Sequence, residues 1–464
     1  MNRQQPLGMV VTANEVRTGK PSPRRARNII LLLAGSVALM MTGFGVIMPV
    51  FARRLAEFGS GVEALGIMTM SFALAQFVAA PIMGNMADRV GRRPMILLAL
   101  AAFALANIGY LFAPNTAVFI AIRTAAGVFT AGLFPAAMGI VADIVVEQER
   151  GRWIGIVMGG YGAGFVFGPV LGGLLYDGFG FAAPFIASAV LAVLALVAAT
   201  LFVPETRTAT IRRRIGLRQR RTQAISKEPT RSIWATLPRP LAVFGTLLLI
   251  DFMGAFTFAY IEPQMVFYMY DTLAWTTAQF GLVVGAYGLS MMLGQTILGQ
   301  TSDRYGRKPI ILIGILLNTT LFFGMAAVST YGMMMLVAVV AGLGSALVAP
   351  AASAFYVDIT EEKYRARILG IKESSLALGG VLGPLLVAVT AGFLTPKQIF
   401  LSAGIFMLVG LVFAFLFLRE PQHHQEKIND DVTTAVNNQR AFAAQASLRG
   451  LVLSAQASRQ KHSY

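Results

Sequence analysis

The chain has 464 residues, of which 56% are hydrophobic and 13% are charged, and its formal net charge is +16. Soluble globular domains carry about 25% charged residues, so this composition excludes a soluble fold and indicates lipid as the solvent. The absence of cysteine excludes disulfides and thiolate metal sites, and all three histidines lie in the C-terminal tail.

Twelve apolar segments are each long enough to cross a bilayer, which requires about 20 residues per helix. None shows the strict alternation of a membrane β-barrel strand. We therefore predict an all-α membrane protein with twelve transmembrane helices. The predicted spans are 29–51, 64–84, 94–113, 116–141, 153–175, 182–203, 241–268, 277–298, 309–328, 331–355, 368–393 and 398–418.

The distribution of basic residues predicts the orientation of these spans. With a cytoplasmic N-terminus, 33 of the 38 Lys and Arg residues fall in cytoplasmic segments, and only Arg53, Arg54 and Lys397 fall in outer loops. By the positive-inside rule, both termini are predicted to be cytoplasmic. The net charge then reflects topology and not a nucleic-acid-binding face. We expect a monomer in the bacterial inner membrane, whose partners are the lipid bilayer and a small-molecule substrate.

One motif occurs twice, as "GNMADRVGRRP" over 84–94 and as "GQTSDRYGRKP" over 299–309. Asp303 lies 215 residues after Asp88, and the same offset relates Pro135 to Pro350, Asp143 to Asp358, and Gly168 to Gly383. Two related halves with a substrate held between them are typical of transporters. The predicted domains are an N-terminal segment 1–28, a first bundle 29–203, a basic linker 204–240, a second bundle 241–418 and a tail 419–464.

The duplicated motif resembles the loop motif between helices 2 and 3 of the major facilitator superfamily, and the resemblance covers roughly 29–418. It implies the major facilitator fold, in which two pseudo-symmetric six-helix bundles move by alternating access. In that family the acid of the motif faces the N-terminus of helix 11, across the interface between the halves. The alternative is that these charges only set the topology. Arg92 is expected to reach Asp143 at the cytoplasmic end of helix 4, and Arg307 and Asp358 repeat this pair. The predicted cytoplasmic gate consists of Gly84, Asp88, Arg89, Gly91, Arg92, Asp143, Asp303, Gly306, Arg307 and Asp358.

The fifth span carries a second motif, Gly164-x-x-x-Gly168-Pro169-x-x-Gly172-Gly173. Small residues at this spacing allow two helices to approach closely, and proline removes a backbone hydrogen bond. The motif resembles the antiporter motif of the superfamily, which is typical of exporters. In those relatives it packs against the other half and restricts leakage. A generic packing face is the alternative interpretation.

Proton coupling requires a group that titrates inside the membrane. Arg123 resembles the helix 4 arginine that is assigned to proton coupling in drug/proton antiporters, but arginine cannot lose its proton. Asp251 and Glu262 lie eleven residues apart on the seventh span and therefore share one face. Glu262 is expected at the depth of Arg123, which makes it the better coupling candidate, with Asp251 serving substrate binding or a second proton. The alternatives are an interfacial Glu262, a structural Asp251 and an Arg123 that reaches toward the outer surface.

The leading functional interpretation is a proton-coupled exporter of small apolar or amphipathic compounds, such as drugs. A proton-coupled importer or facilitator of a polar metabolite, such as a sugar, and a transporter-derived receptor or scaffold are the alternatives. No nucleotide-binding loop or enzyme constellation is present, and no cofactor is expected besides the coupling proton. Residues 438–456 are compatible with a surface helix or with disorder. Candidate cavity residues are Phe44, Gln76, Phe134, Phe256, Tyr260 and Tyr287.

Overall fold

The computed structural model describes residues 23–146, 149–206 and 237–420, which form helices and short connections without a strand. Within these ranges, twelve helices are long and apolar enough to cross a membrane, as the sequence predicts. Most of the predicted linker and the segment 438–456 lie outside the described residues. The helices are α1 (Pro23–Glu57), α2 (Val62–Val90), α3 (Arg92–Phe112), α4 (Thr116–Thr130 and Leu133–Ile144), α5 (Arg150–Phe179), α6 (Ala182–Phe202), α7 (Leu241–Phe267), α8 (Thr277–Leu298), α9 (Arg307–Ala327), α10 (Tyr331–Asp358), α11 (Arg365–Thr390) and α12 (Pro396–Phe417).

Several helices extend beyond the predicted apolar spans. α1 begins at Pro23 instead of 29, and α5 covers Arg150–Phe179 instead of 153–175. The apolar windows mark only the hydrocarbon layer, whereas the helical hydrogen bonds continue into the headgroup region. A helix of 30 residues is about 45 Å long, which matches a bilayer that includes its headgroups.

Two helices, α4 and α7, depart from regular α-helical geometry. α4 is broken between Thr130 and Leu133. α7 contains Pro263 and continues into a π-helical turn at Tyr268–Thr272. Proline removes one helical hydrogen bond, and π-helical turns are frequent at functional sites. Glu262 therefore lies directly before a weakened part of α7.

The packing of the helices repeats between the two halves. In the first half, α1 packs on α5 and α6, α4 packs on α2 and α3, and α3 packs on α6. The second half repeats these pairs with α7 on α11 and α12, α10 on α8 and α9, and α9 on α12. This confirms the two pseudo-symmetric six-helix bundles.

The halves meet along two helix pairs, α5 with α8 and α2 with α11. Glycines make both contacts close. A Cβ on Gly173 of α5 would lie 2.6 Å from Cα of Ala278, and a Cβ on Gly66 of α2 would lie 2.9 Å from the carbonyl oxygen of Pro384. Larger residues at these positions would separate the halves.

Candidate functional site

A cavity of about 720 Å³ lies between the halves and is lined by residues of α1 to α5 and α11. We call the end at which α1 begins and α2 ends the inner end, and the opposite end the outer end. The cavity extends from the middle of the helices toward the inner end, because α5 contributes Met158 and Tyr161 and α11 contributes Glu373 from their inner parts. The predicted residues Phe44, Gln76 and Phe134 line it.

The other three predicted cavity residues lie within the second half and are not among the lining residues of this cavity. The ring of Phe256 stacks on that of Tyr260 with centroids 6.0 Å apart. The hydroxyl of Ser402 donates a hydrogen bond of 3.2 Å to the Tyr260 hydroxyl, and Tyr287 shares one of 2.6 Å with Ser345. In this conformation the cavity is therefore formed mainly by the first half.

Hydrogen bonds to a helix N-terminus join the halves at the outer end. The Asp177 carboxylate at the end of α5 accepts the backbone N–H groups of Thr277 (3.2 Å) and Ala278 (2.8 Å) in the first turn of α8. We call this contact the outer clasp. No motif in the sequence predicts this contact. The signal for it is an acid, Asp177, at the end of a span whose glycines pack on other helices.

A second set of contacts closes the same end between α1 and α7. The hydroxyl of Tyr270 donates to the carbonyl of Pro49 (2.7 Å), and the guanidinium of Arg53 donates to the carbonyl of Trp275 (3.0 Å). The Arg53 guanidinium also lies 3.9 Å from the centroid of the Tyr270 ring. Together with the outer clasp, these contacts hold the outer end closed.

The gate motif forms an ion-pair network at the inner end of each half. Arg92 Nε donates to Asp143 Oδ2 (2.7 Å), and Arg92 Nη2 lies 3.4 Å from Asp88 Oδ1. In the second half, Arg307 Nε donates to Asp358 Oδ2 (3.1 Å), and the same guanidinium also pairs with Asp303. The structure thus brings the predicted gate partners together, and both arginines are buried.

Two glycines shape the turns of this motif. Gly91 has a φ of +129° and Gly306 a φ of +96°, a region that other residues rarely adopt. Gly84 faces α4, where a Cβ would lie 4.0 Å from Cβ of Pro135. The side chain of Arg89 is exposed near the inner end of α2.

A matched pair of glutamates outside the predicted gate caps the helices that follow the motif. Glu205 accepts the backbone N–H groups of Arg92 (3.2 Å) and Arg93 (3.3 Å), and Glu420 accepts that of Lys308 (2.7 Å). Carboxylates are stabilised at helix N-termini, where backbone N–H groups lack helical partners. Glu420 lies 215 residues after Glu205, so extending the repeat past the spans would have found the pair.

The glycines of the antiporter motif contact two neighbouring helices, α1 and α8. A Cβ on Gly164 or Gly168 would lie 2.6 Å from backbone atoms of α1, and Gly172 also faces α1. Gly173 faces α8, and the carbonyl of Pro169 lies against Gly281 of α8. The resemblance implies packing against the other half, but most of these glycines pack within their own half. The reason is their spacing of four residues, which keeps Gly164, Gly168 and Gly172 on one face.

Arg123 is buried and held by aromatic rings. Its guanidinium lies 3.9 Å from the ring centroid of Phe72, 4.6 Å from that of Phe44 and 4.8 Å from that of Phe51. We call these three residues the aromatic cage. Among the described residues, Tyr110 and Glu262 are the titratable groups that interact electrostatically with Arg123.

The two acids of α7 have different surroundings, although they share one predicted face. Glu262 is half-buried and interacts electrostatically with Arg123 of the first half. Asp251 interacts with Lys372 and Tyr356 of its own half. Lys372 Nζ donates to Ser353 Oγ (3.2 Å) and lies 3.6 Å from Glu373 Oε1. Of these two acids, Glu262 is therefore the one that interacts with a charged group of the other half.

Comparison with known proteins gives consistent matches over most of the chain. The sequence model of the Major Facilitator Superfamily matches residues 33–268 and 247–457. The multi-drug resistance efflux pump PmrA homolog of Lactococcus lactis is 28% identical over 85% of this chain and 95% of its own length. The class G tetracycline resistance protein of Vibrio anguillarum is 30% identical over 80% and 92%, respectively. Among solved structures, the bacterial homolog of the human lysosomal transporter Spinster, in an inward-facing and occupied conformation, matches with a TM-score of 0.68 and 16% identity, over 85% of this chain and 97% of that one.

Proposed function

Because this chain belongs to the Major Facilitator Superfamily, we propose that it exports small apolar or amphipathic compounds in exchange for protons. The observation that carries this proposal is the cavity, whose volume suits a drug-sized molecule and whose wall consists mainly of Phe, Met and Ala side chains. Flexible apolar side chains accept ligands of different shapes. The similarity to multi-drug and tetracycline resistance proteins supports the same substrate class and an outward direction.

The proposed transport cycle starts from the conformation described above, with the outer end closed and the cavity directed to the inner end. A compound enters the cavity from the inner side or from the inner leaflet of the bilayer. The halves then rock about their α5–α8 and α2–α11 contacts, so that the gate networks approach each other and the outer clasp opens. Glycine-lined contacts favour this motion because they leave few side chains to repack.

The proposed proton site is Glu262, and Asp251 serves substrate binding or a second proton. Burial favours the neutral form of a carboxyl group, whereas a neighbouring guanidinium favours the carboxylate. Arg123 interacts with Glu262 across the two halves, so rocking of the halves changes the balance between these effects. A group whose charge depends on conformation can load a proton on one side and release it on the other.

Transport into inverted membrane vesicles tests the function directly. Tetracycline and ethidium serve as probes, and the vesicle lumen is acidified. We expect both probes to accumulate, and a protonophore to abolish the accumulation. Uptake that depends neither on the pH gradient nor on the protonophore would instead indicate a facilitator.

Two substitutions test the assignment of the proton site. Glu262→Gln should bind the probes but lose proton-driven accumulation, whereas Asp251→Asn should mainly weaken binding. Glu63→Gln, at an exposed acid in the first turn of α2, is the matched control and should behave as wild type. Accumulation by Glu262→Gln together with its loss in Asp251→Asn would reverse the assignment.

The proposal includes a monomer in the bacterial inner membrane with both termini in the cytoplasm. Because the chain has no native cysteine, single cysteines report sidedness without background. A membrane-impermeant maleimide should label Lys397→Cys in intact cells and should label Glu361→Cys only after the cells are opened. The opposite pattern would invert the topology.

A further inference from the structure

Phe44 and Phe72 contact both the cavity and Arg123. Both line the cavity, and both are members of the aromatic cage around Arg123. Their ring centroids lie 5.6 Å apart, so movement of one ring affects the other. A compound in the cavity and the guanidinium of Arg123 therefore contact the same two side chains.

The cage is an important part of what stabilises the charge of Arg123. The side chain is buried, its Nε has no hydrogen-bond partner, and the salt bridges found within the described ranges do not include it. A buried guanidinium without a paired carboxylate is costly, and aromatic faces offset part of this cost by cation–π interaction. The titratable groups that face it are Tyr110 of α3 and Glu262 of α7. Weaker ring contacts would therefore leave Glu262 as its main anionic partner.

We propose that Phe44 and Phe72 transmit occupancy of the cavity to the Arg123–Glu262 pair. A compound that packs against the two rings turns them out of face-on contact with the guanidinium, whose interaction with Glu262 then becomes its main stabilising contact. The stronger interaction with this positive charge stabilises the Glu262 carboxylate, and the carboxyl proton is released to water on the inner side. Phe44 and Phe72 are thus positioning residues that link substrate binding to proton release. This inference rests on the proposed proton exchange.

The structure supplies matched controls for these two residues. Phe77 and Phe134 line the cavity but are not part of the aromatic cage. Their replacement changes the apolar wall without changing the contacts of Arg123. If replacing Phe44 or Phe72 has a different effect from replacing Phe77 or Phe134, the effect is due to ring contact with Arg123 and not to the loss of apolar surface.

The test measures proton release and binding on the same purified full-length protein. Ethidium is added in weakly buffered solution, a pH indicator reports released protons, and fluorescence reports bound ethidium. Wild type should release protons as ethidium binds. Phe72→Leu and Phe44→Leu should bind ethidium but release several-fold fewer protons per bound molecule. Phe77→Leu and Phe134→Leu should change the affinity and keep the wild-type ratio, and Phe72→Tyr should restore the ratio because it restores a ring.

The possible failures are distinguishable. Wild-type proton ratios in both Phe72→Leu and Phe44→Leu would overturn the inference and leave the proposed function intact. The inference would also be overturned if Phe77→Leu and Phe134→Leu lowered the ratio as strongly, since any loss of apolar wall would then suffice. Ethidium binding by wild type without proton release would overturn proton exchange itself, and the inference with it.

Discussion

Arg92 shows how one residue is kept charged in a buried position. Its guanidinium pairs with Asp143 and Asp88, which offsets the desolvation that makes isolated buried charges unfavourable. The guanidinium also lies against Gly139 of α4, at the place where a Cβ would be. The absence of a side chain at position 139 is therefore a condition for the ion pair.

Gly139→Ala should displace the Arg92 guanidinium and break its contact with Asp143. The fold should persist, because only the end of a flexible side chain has to move. We expect an export rate reduced by about tenfold, equivalent to about 1.4 kcal/mol, and similar reductions in Arg92→Ala and Asp88→Asn. The measurement is export normalised to the amount of folded protein. Gly155→Ala faces open space and is the control. Wild-type rates in all three gate variants would exclude a gating role for this network.

At the scale of single elements, helix ends and helix faces decide the contacts. α3 and α9 start at glycines that offer no capping side chain, so glutamates from the ends of α6 and α12 supply the acceptors. α5 uses one glycine face for α1 and a neighbouring one for α8. Each of these helices therefore receives part of its stabilisation from a neighbouring helix.

Glu205→Ala should lower the stability of the first half. The substitution removes the acceptor for two backbone N–H groups, and losing a helix cap costs about 1 kcal/mol. The thermal unfolding midpoint in detergent should fall, and Glu420→Ala should act in the same direction through Lys308. Glu57→Ala, at an exposed acid of the outer end whose ion pair with Arg54 stays within α1, is the control. Equal midpoints for Glu205→Ala and wild type would contradict the capping role.

Gly168→Ala should destabilise the contact of α5 with α1. The new Cβ would lie 2.6 Å from Cα of Gly45, and a backbone atom cannot move aside as a side chain can. Overpacking of this kind costs about 1–3 kcal/mol. In contrast, Gly162→Ala faces open space and should stabilise the helix by up to about 1 kcal/mol. Thermal unfolding of both variants checks the difference, and a midpoint for Gly168→Ala at or above that of Gly162→Ala would be inconsistent with it.

At the scale of the whole molecule, the described conformation depends on contacts between the halves. The outer clasp and the Tyr270 and Arg53 contacts all lie at the outer end, while the cavity extends to the inner end. Conformations of a transporter differ by a few kcal/mol, so a single clasp shifts their populations measurably.

Asp177→Asn should shift the population toward conformations with an open outer end. The variant loses the charge that strengthens two hydrogen bonds to α8, worth about 1.5 kcal/mol, which corresponds to roughly a tenfold shift. Spin labels at Val118→Cys and Lys397→Cys report the distance between the outer ends of the halves, and the chain has no other cysteine. Asp271→Asn is the control for an exposed outer acid. An unchanged distance distribution in Asp177→Asn would exclude the clasp as a determinant of the closed outer end.

The sequence by itself determined the twelve spans, the two related halves and the gate partners Arg92–Asp143 and Arg307–Asp358. These features depend on hydrophobicity along one segment and on a repeat at a fixed offset, both of which are readable without tertiary contacts. Only the tertiary structure decided that Asp251 and Glu262 have different neighbours, that phenylalanines surround Arg123, and that Asp177 and Glu205 cap distant helices. These features depend on the rotation of each helix about its axis and on contacts between segments about a hundred residues apart, which periodicity along a single helix does not determine.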